Sequence, residues 1–396
     1  MASARANAMF QSLGHICRLS LIILGCALVA SSMATDAGPS VKTRDWPLVR
    51  GDAQARGVAH GDLSGQLDLL WKFSTKEGGF EGSAVIVDGV VYAGSLDGNL
   101  YAIDLASGQK KWAYKTELGF SASPAVAGGL VYVGDADGKF YCIDAAKGEF
   151  KWAFEAQAEI DSSANFHKDR VLFGSQDSNL YCLDAKSGAL VWKYAIGDQI
   201  RCSPTVVGDR AFVAGCDSKL HVVDLTTGKA VGTVPIGAPT GSTPAVEGDF
   251  AYFGTEGATF FCIDYQRAKV VWTYEAKRKM PLRSSAAVTD NLVIFGGRDK
   301  LVMALAKSDG TRQWSYPTRA RVDSSPVVVG DRVFVGSADG RLYGFDLKGD
   351  LRWEYEAGGQ FTASPAVAGN RLVIGNTDGT LFCFGHKSAA KGPGTN

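Results

Sequence analysis

Glu81, Ser121, Asp161, Arg201, Gly241, Arg283, Asp323 and Thr362 recur about every 40 positions, and together they form the column in which chemistry could reside. Five of them are charged, with both signs present. Such a ring is costly to bury unless its members are paired or hydrated. Two readings follow. One is a solvated mouth stabilised by Arg–Asp pairs between neighbouring units. The other is a docking surface, with Leu282 and Arg283 of one unit and Asp323 of the next presenting apolar and charged groups together. The preceding column is apolar or small (Phe80, Phe120, Ile160, Ile200, Thr240, Leu282, Val322 and Phe361), and its aromatics leave a peptide or polysaccharide ligand open. A catalytic inventory is otherwise nearly empty. The five histidines (His15, His60, His167, His221 and His386) have no metal-ligand spacing, and no Gly-x-Ser-x-Gly elbow, phosphate loop or metalloprotease motif is present.

The elements that must position this column are written in the repeat. Within each unit, β-rich runs are separated by turn signals every eight to twelve residues, without a helical period. Ser123-Pro-Ala-Val126 turns at Gly128-Gly129 into Leu130–Val133. The Asp137-Gly138 hairpin leads to Phe140–Ile143, and the turn from Asp144 to Gly148 leads to a run carrying Trp152. Four antiparallel strands per unit make a propeller blade. The hairpin recurs at Asp97, Asp137, Asp177, Asp217, Glu256, Asp299, Asp339 and Asp378, giving eight blades.

The fourth-strand tryptophan recurs at Trp112, Trp152, Trp192, Trp272, Trp314 and Trp353, with Gly232 in its place once. The eighth unit stops at Phe382-Cys383-Phe384. Its missing strand is found upstream, around Trp71, so the N-terminal strand is expected to complete the last blade and close the ring. Trp71 and the six other tryptophans are read as blade-docking side chains, each burial being worth roughly 1.5–3 kcal/mol. The innermost strand of each blade lines the central channel, which puts the charged column at the channel mouth.

Of 396 residues, 46% are hydrophobic and 21% charged, and the formal net charge is zero. No basic run offers a nucleic-acid footprint; Lys277-Arg278-Lys279 reads as a solvated loop. Residues 1–34 carry Arg5 and Arg18, an apolar Leu19–Ala30 stretch and Ser32-Met33-Ala34, the pattern of a signal peptide cleaved after Ala34. The alternative is a lipobox, Ile23-Leu-Gly-Cys26, which would make Cys26 a lipid anchor. The expected division is a signal peptide (1–34), a lead-in segment (35–66), the propeller (67–384) and a flexible tail (385–396). Export permits disulfides. Yet Cys142, Cys182, Cys262 and Cys383 share a column with Ala102, Val222, Ala304 and Gly344, and so read as buried thiols. Cys202 and Cys216 flank one hairpin with a register off by one, which leaves their pairing open.

Asp104-Leu-Ala-Ser-Gly108-Gln-Lys-Lys-Trp112-Ala-Tyr114 and Asp184-Ala-Lys-Ser-Gly188-Ala-Leu-Val-Trp192-Lys-Tyr194 match an Asp-x-x-x-Gly-x-x-x-Trp-x-Tyr signature. In this the chain resembles the pyrroloquinoline-quinone (PQQ)-type propeller repeat family over residues 67–384. The resemblance implies one of two activities. Quinoprotein dehydrogenases hold the quinone with calcium in the funnel, and here Glu81, Asp161 and Asp323 would be the candidate ligands. Non-catalytic propellers of the BamB type serve outer-membrane barrel assembly, and the resemblance implies a partner held by a Leu-Arg and Asp combination on adjacent blades. Asp45-Trp46-Pro47 with Arg50-Gly51 and Gly57 resembles the lead-in of exported proteins of the second type. The chain has no Cys-Cys pair, no Cys-x-x-Cys-His and no insertions between units, all of which depart from the dehydrogenase pattern. The expectation is an exported, cofactor-free scaffold binding another envelope protein, a barrel-assembly component being the candidate. Its proposed contacts are Glu81, Asp161, Arg201, Leu282, Arg283 and Asp323. The alternative is a dehydrogenase using PQQ and calcium, or a cofactor-binding remnant of one.

Overall fold

The structure is a computed structural model that describes residues 45–387. The expected signal peptide with its Ala34 and Cys26 alternatives lies outside the described residues, as does the tail from residue 388. Among the described residues the strands form eight sheets arranged as propeller blades, each with four antiparallel strands; seven are built from consecutive strands, and the eighth takes one strand from the other end of the chain. Blade 1 comprises Val85–Val87, Val90–Gly94, Asn99–Asp104 and Lys110–Lys115. Its two middle strands are buried on both faces and read as continuous apolar runs. The outermost strand alternates, with Trp112 and Tyr114 half-buried and lysines outside. This is what blades stacked face to face require.

Blade 8 consists of Ala366–Ala368, Arg371–Gly375, Thr380–Gly385 and, from the other end of the chain, Asp68–Ser74. Trp71 pairs with Cys383 and Phe73 with Leu381, so the N-terminal strand closes the ring. The last strand runs through Gly385, one residue beyond the boundary expected from sequence.

Every outermost strand carries a bulge immediately before the tryptophan position, as at Phe150/Trp152 and at Val222/Val223 in blade 4. A bulge re-aims the following side chain, and here it turns the indole onto the next blade. Trp71 Nε1 donates to Leu105 O at 2.9 Å, Trp112 to Ala145 O at 3.1 Å, and Trp353 to Leu67 O at 3.1 Å. Six of the rings, all but that of Trp353, lie on the turn glycine of the following blade. A Cβ on Gly108, Gly148, Gly188, Gly228, Gly310 or Gly349 would come within 2.5–2.7 Å of that ring, and all six have positive φ. The glycine and the tryptophan of the repeat signature are therefore two halves of one contact between successive blades. Where Gly232 replaces the tryptophan, the facing turn residue is Ala268 rather than glycine. The thiols of Cys142, Cys182, Cys262 and Cys383 are buried and free. Cys202 and Cys216 are also free, and burial raises both thiol pKa values.

The lead-in is a strap across the innermost strands at the channel end opposite the charged column. Trp46 and Ile86 exchange backbone hydrogen bonds. The carbonyls of Pro47, Ala53, Gln54, Arg56 and Gly57 then accept the N–H groups of Val126, Val206, Val246, Val288 and Val328, at 2.8–2.9 Å. Val58–Ala59 continues as a parallel strand on blade 7. Arg50 is 2% exposed and donates to Ser325 O, Ala286 O and Pro326 O. Burial pulls its pKa down to about 10, opposed by Asp52, so it stays charged at neutral pH. Its guanidinium occupies the space a Cβ on Gly57 would need, as the Trp46 ring does at Gly51. That explains the spacing of the lead-in motif.

Candidate functional site: the channel mouth

The linkers between blades meet the hairpins at one end of the channel. Phe120 N–H donates to Ser95 O on blade 1, and Ala136 N–H of blade 2 donates to Gly119 O, so each linker is fastened to both blades it joins. Just inside this rim runs a closed circuit of hydroxyls. The backbone N–H of Ser83 donates to Ser123 Oγ, Ser123 to Ser163, Ser163 to Ser203 and Ser203 to Thr243. The circuit continues through Ser285, Ser325 and Ser364 back to Ser83, every bond being 2.8–3.1 Å. These eight bonds fix the geometry of the residues two positions earlier, which are the charged column.

That column is exposed or half-buried in all eight blades. The column before it is not. Phe80, Phe120, Ile160, Ile200, Leu282, Val322 and Phe361 are 0% exposed, and Thr240 is 1% exposed. Leu282 packs against Gly254 of the preceding blade, as Phe120 packs against Gly94. The expectation that Leu282 offers an apolar contact to a partner is therefore corrected, as is the expectation of aromatic side chains available beside the mouth. These residues wedge the inner strands apart and present no surface.

The remaining expected residues divide into committed and uncommitted charges. Asp323 is held by both nitrogens of a fork from Arg298, each at 2.9 Å, and by Arg321 at 3.0 Å. Arg321 also reaches Gln360 of blade 8. Arg283 pairs with Glu256 of blade 5 at 2.7 Å. Asp161 accepts from Ser121 of blade 2 at 2.9 Å and from Gln176 at 2.7 Å; Gln176 also donates to Glu159 at 3.0 Å. Burial raises the Glu159 pKa, and the neighbouring Asp161 raises it further. Glu81 and Arg201 are exposed and make no hydrogen-bonded ion pair among the described residues. Inter-blade pairing thus accounts for Asp161, Arg283 and Asp323, and leaves Glu81 and Arg201 facing solvent.

Sequence reasoning named Glu256 only as a hairpin position and missed Glu159, Gln176, Arg298, Arg321 and Gln360. They occupy two further columns: the linker position two residues before the charged column, and the first residue of the hairpin. Their signal was the same, a column that refuses to repeat.

A calcium ion takes about six to eight oxygen ligands. Among the described residues no three His, Cys, Asp or Glu side chains are gathered to hold a metal ion. Glu81, Asp161 and Asp323 stand on blades 1, 3 and 7, and the last is saturated by two arginines. The three expected calcium ligands therefore do not converge on one point of the mouth.

A family model described as the β-propeller of the β-alanine-activating enzyme matches residues 121–390. The chain belongs to this β-propeller family. Lupanine 17-hydroxylase (cytochrome c) from a Pseudomonas species is 30% identical over 109 residues, 26% of this chain and 16% of that protein. The chain therefore matches about a sixth of that relative's length. Among solved structures, BamB from Moraxella catarrhalis superposes with a TM-score of 0.71 at 20% identity, covering 81% of this chain and 100% of that one. Quinohemoprotein alcohol dehydrogenase from Comamonas testosteroni gives 0.77 at 16% identity, covering 90% and 82%. At these identities the likeness is one of fold, shared by proteins of both kinds. No helix among the described residues is long and apolar enough to cross a membrane.

Proposed function

We propose that this protein is an exported, non-catalytic propeller whose channel mouth docks another protein of the cell envelope, a component of outer-membrane barrel assembly being the candidate partner. The observation that carries the reading is the division of charge at the mouth. Asp161 and Asp323 are committed to serine, glutamine and arginine, while Arg201 and Glu81 stand exposed on blades 4 and 1. Exposed charges of opposite sign on a rigid rim favour recognition and on-rate over chemistry. The signal-peptide pattern of residues 1–34 and the full coverage of BamB support the same reading.

The second reading, a PQQ- and calcium-dependent dehydrogenase or its remnant, draws on the likeness to lupanine hydroxylase and to the alcohol dehydrogenase. One experiment separates them. The purified chain is incubated with the quinone and calcium and assayed for dye-linked oxidation of alcohols and sugars; in parallel it is used as bait in its own envelope extract. Retention of a barrel-assembly component by the wild type, its loss from Arg201→Glu with Glu81→Arg, and no turnover are expected. Robust turnover would overturn the proposal.

A further inference from the structure

Blade 6 departs from the repeat at the mouth in two places, and both departures are cationic. The linker entering it, residues 276–282, has seven residues against five in 116–120, and carries Lys277-Arg278-Lys279-Met280. The second place is the tip of its hairpin, a position held at positive φ in every blade. Gly98, Gly138, Gly340 and Gly379 fill it in four blades, and Ser178, Ser218 and Ala258 in three; blade 6 has Lys300, at φ 67°. A left-handed backbone penalises any residue with a Cβ, so a lysine is a costly choice where glycine serves. Lys279, at φ 51°, is a second lysine held in this way. The run 277–279 reads from sequence as a solvated loop, yet it is fastened. Lys279 N–H donates to Ala276 O at 3.0 Å, and Arg278 Nη1 donates to Asp299 O of the hairpin at 2.9 Å. On the other side Thr318 N–H donates to Lys300 O at 2.9 Å, which sets the outgoing linker with Arg319 against the same hairpin. Arg278, Lys300 and Arg319 thus belong to three segments bonded side by side.

Other cations of this rim already hold a carboxylate. Arg283 pairs with Glu256, Arg298 and Arg321 with Asp323, and Lys279 with Glu275. Asp299, buried in the hairpin, faces Arg278 and tempers its charge. Lys277, Lys300 and Arg319 are exposed, and their side chains bond no carboxylate among the described residues. Met280, in the same linker as Lys277, is 42% exposed. Free cations beside an apolar side chain complement a surface bearing several carboxylates and an apolar group. A bilayer is disfavoured, because one methionine offers little apolar area for interfacial anchoring. A nucleic acid is disfavoured too, since its phosphates would meet Glu256, Glu275 and Asp323 on the same rim. We propose that the rim of blade 6 docks an acidic segment of a partner protein, whose carboxylates meet Lys277, Lys300 and Arg319 and whose apolar side chain covers Met280. This rests on the reading that the mouth docks a protein, and adds the place and the sign of the contact.

The test uses the full chain and two labelled peptides, one with two Glu on each side of a central Leu, the other with Gln for each Glu, followed by fluorescence anisotropy. The acidic peptide is expected to bind about tenfold more tightly at low salt, and to lose that margin at about 0.5 M salt. Lys277→Glu with Arg319→Glu should abolish its binding. Lys300→Gly should weaken it several-fold while raising the melting temperature by about 1–2 °C, because the backbone strain leaves with the charge. Equal affinity for the two peptides would overturn the proposal. So would a Lys300→Gly protein that is more stable yet binds unchanged, or binding to phosphatidylglycerol vesicles that is lost with Lys277→Glu and Arg319→Glu. Baits in the envelope extract separate this contact from the mouth reading beneath it. The wild type should retain a partner that the double variant loses. Equal retention by both would end the blade 6 assignment and leave the mouth reading standing; no retention by the wild type would end both.

Discussion

The outer seams and the channel mouth are made from the same repeat, but they treat departures from it in opposite ways. At the seams a departure is answered by a compensating one. Blade 4 loses its tryptophan to Gly232, and the facing turn of blade 5 gains a methyl group at Ala268. Blade 4 also has His221 where Tyr101, Tyr181 and Tyr343 donate to the hairpin aspartates, and the imidazole makes the same contact to Asp217, at 2.9 Å. The geometry of the ring survives each change. At the mouth the departures accumulate as charge, some paired between blades and some left to solvent. Compensated variation marks structure, and uncompensated variation marks a surface free to acquire a role.

The largest effect should come from breaking a seam that has no substitute. Trp71 docks the closing strand of blade 8 on Gly108 of blade 1 and donates to Leu105 O. Trp71→Ala should cost about 3–5 kcal/mol in urea unfolding, whereas Arg201→Ala should stay within about 0.5 kcal/mol. A sharper test repairs the odd seam. Gly232→Trp alone should be neutral or destabilising, because the Ala268 methyl stands where the ring must lie. With Ala268→Gly added, the pair should gain roughly 1.5–3 kcal/mol, the value of burying one such side chain. A double-mutant cycle reads this coupling directly.

A smaller effect concerns His221, which is buried between Asp217 and Tyr194. Burial lowers its pKa below the ordinary histidine value of 6.5, against the pull of Asp217. The unfolded chain then binds the proton more readily, so this group's contribution to stability is present above pH 6.5 and is lost as pH falls towards the folded pKa. Thermal unfolding between pH 7.5 and 5.5 should show that loss in the wild type. His221→Tyr, which restores the tyrosine–aspartate contact of the other blades, should flatten it.

Most of the ring was legible in the sequence, because its contacts are repeated and therefore visible as columns. Eight blades, closure by the strand at Trp71 and the docking role of the tryptophans all follow from positions that recur. The glycine facing each indole was equally visible, but its partner lies in the next blade, and spacing alone does not reveal that contact. The circuit of hydroxyls from Ser83 to Ser364 was written as an unbroken Ser/Thr column, yet a hydroxyl beside proline or serine has no sequence signature of an inter-blade bond. The mouth was legible only in part. Its innermost charged column could be read, but Leu282 could not be assigned to the interior, because an apolar residue beside an arginine looks the same at a wedge and at a docking surface. The course of the strap depends on where a non-repeating segment leaves the sheet, which no periodicity encodes.

The central claim is that recognition lives at the mouth, and site-specific photo-crosslinking in the native envelope tests it most directly. A photoreactive residue is placed at position 201 on the mouth, or at 111 on the outer strand of blade 1. The account predicts one discrete adduct from position 201, containing a barrel-assembly component and lost with Glu81→Arg, and none from 111. The same adduct from 111, with none from 201, would contradict it.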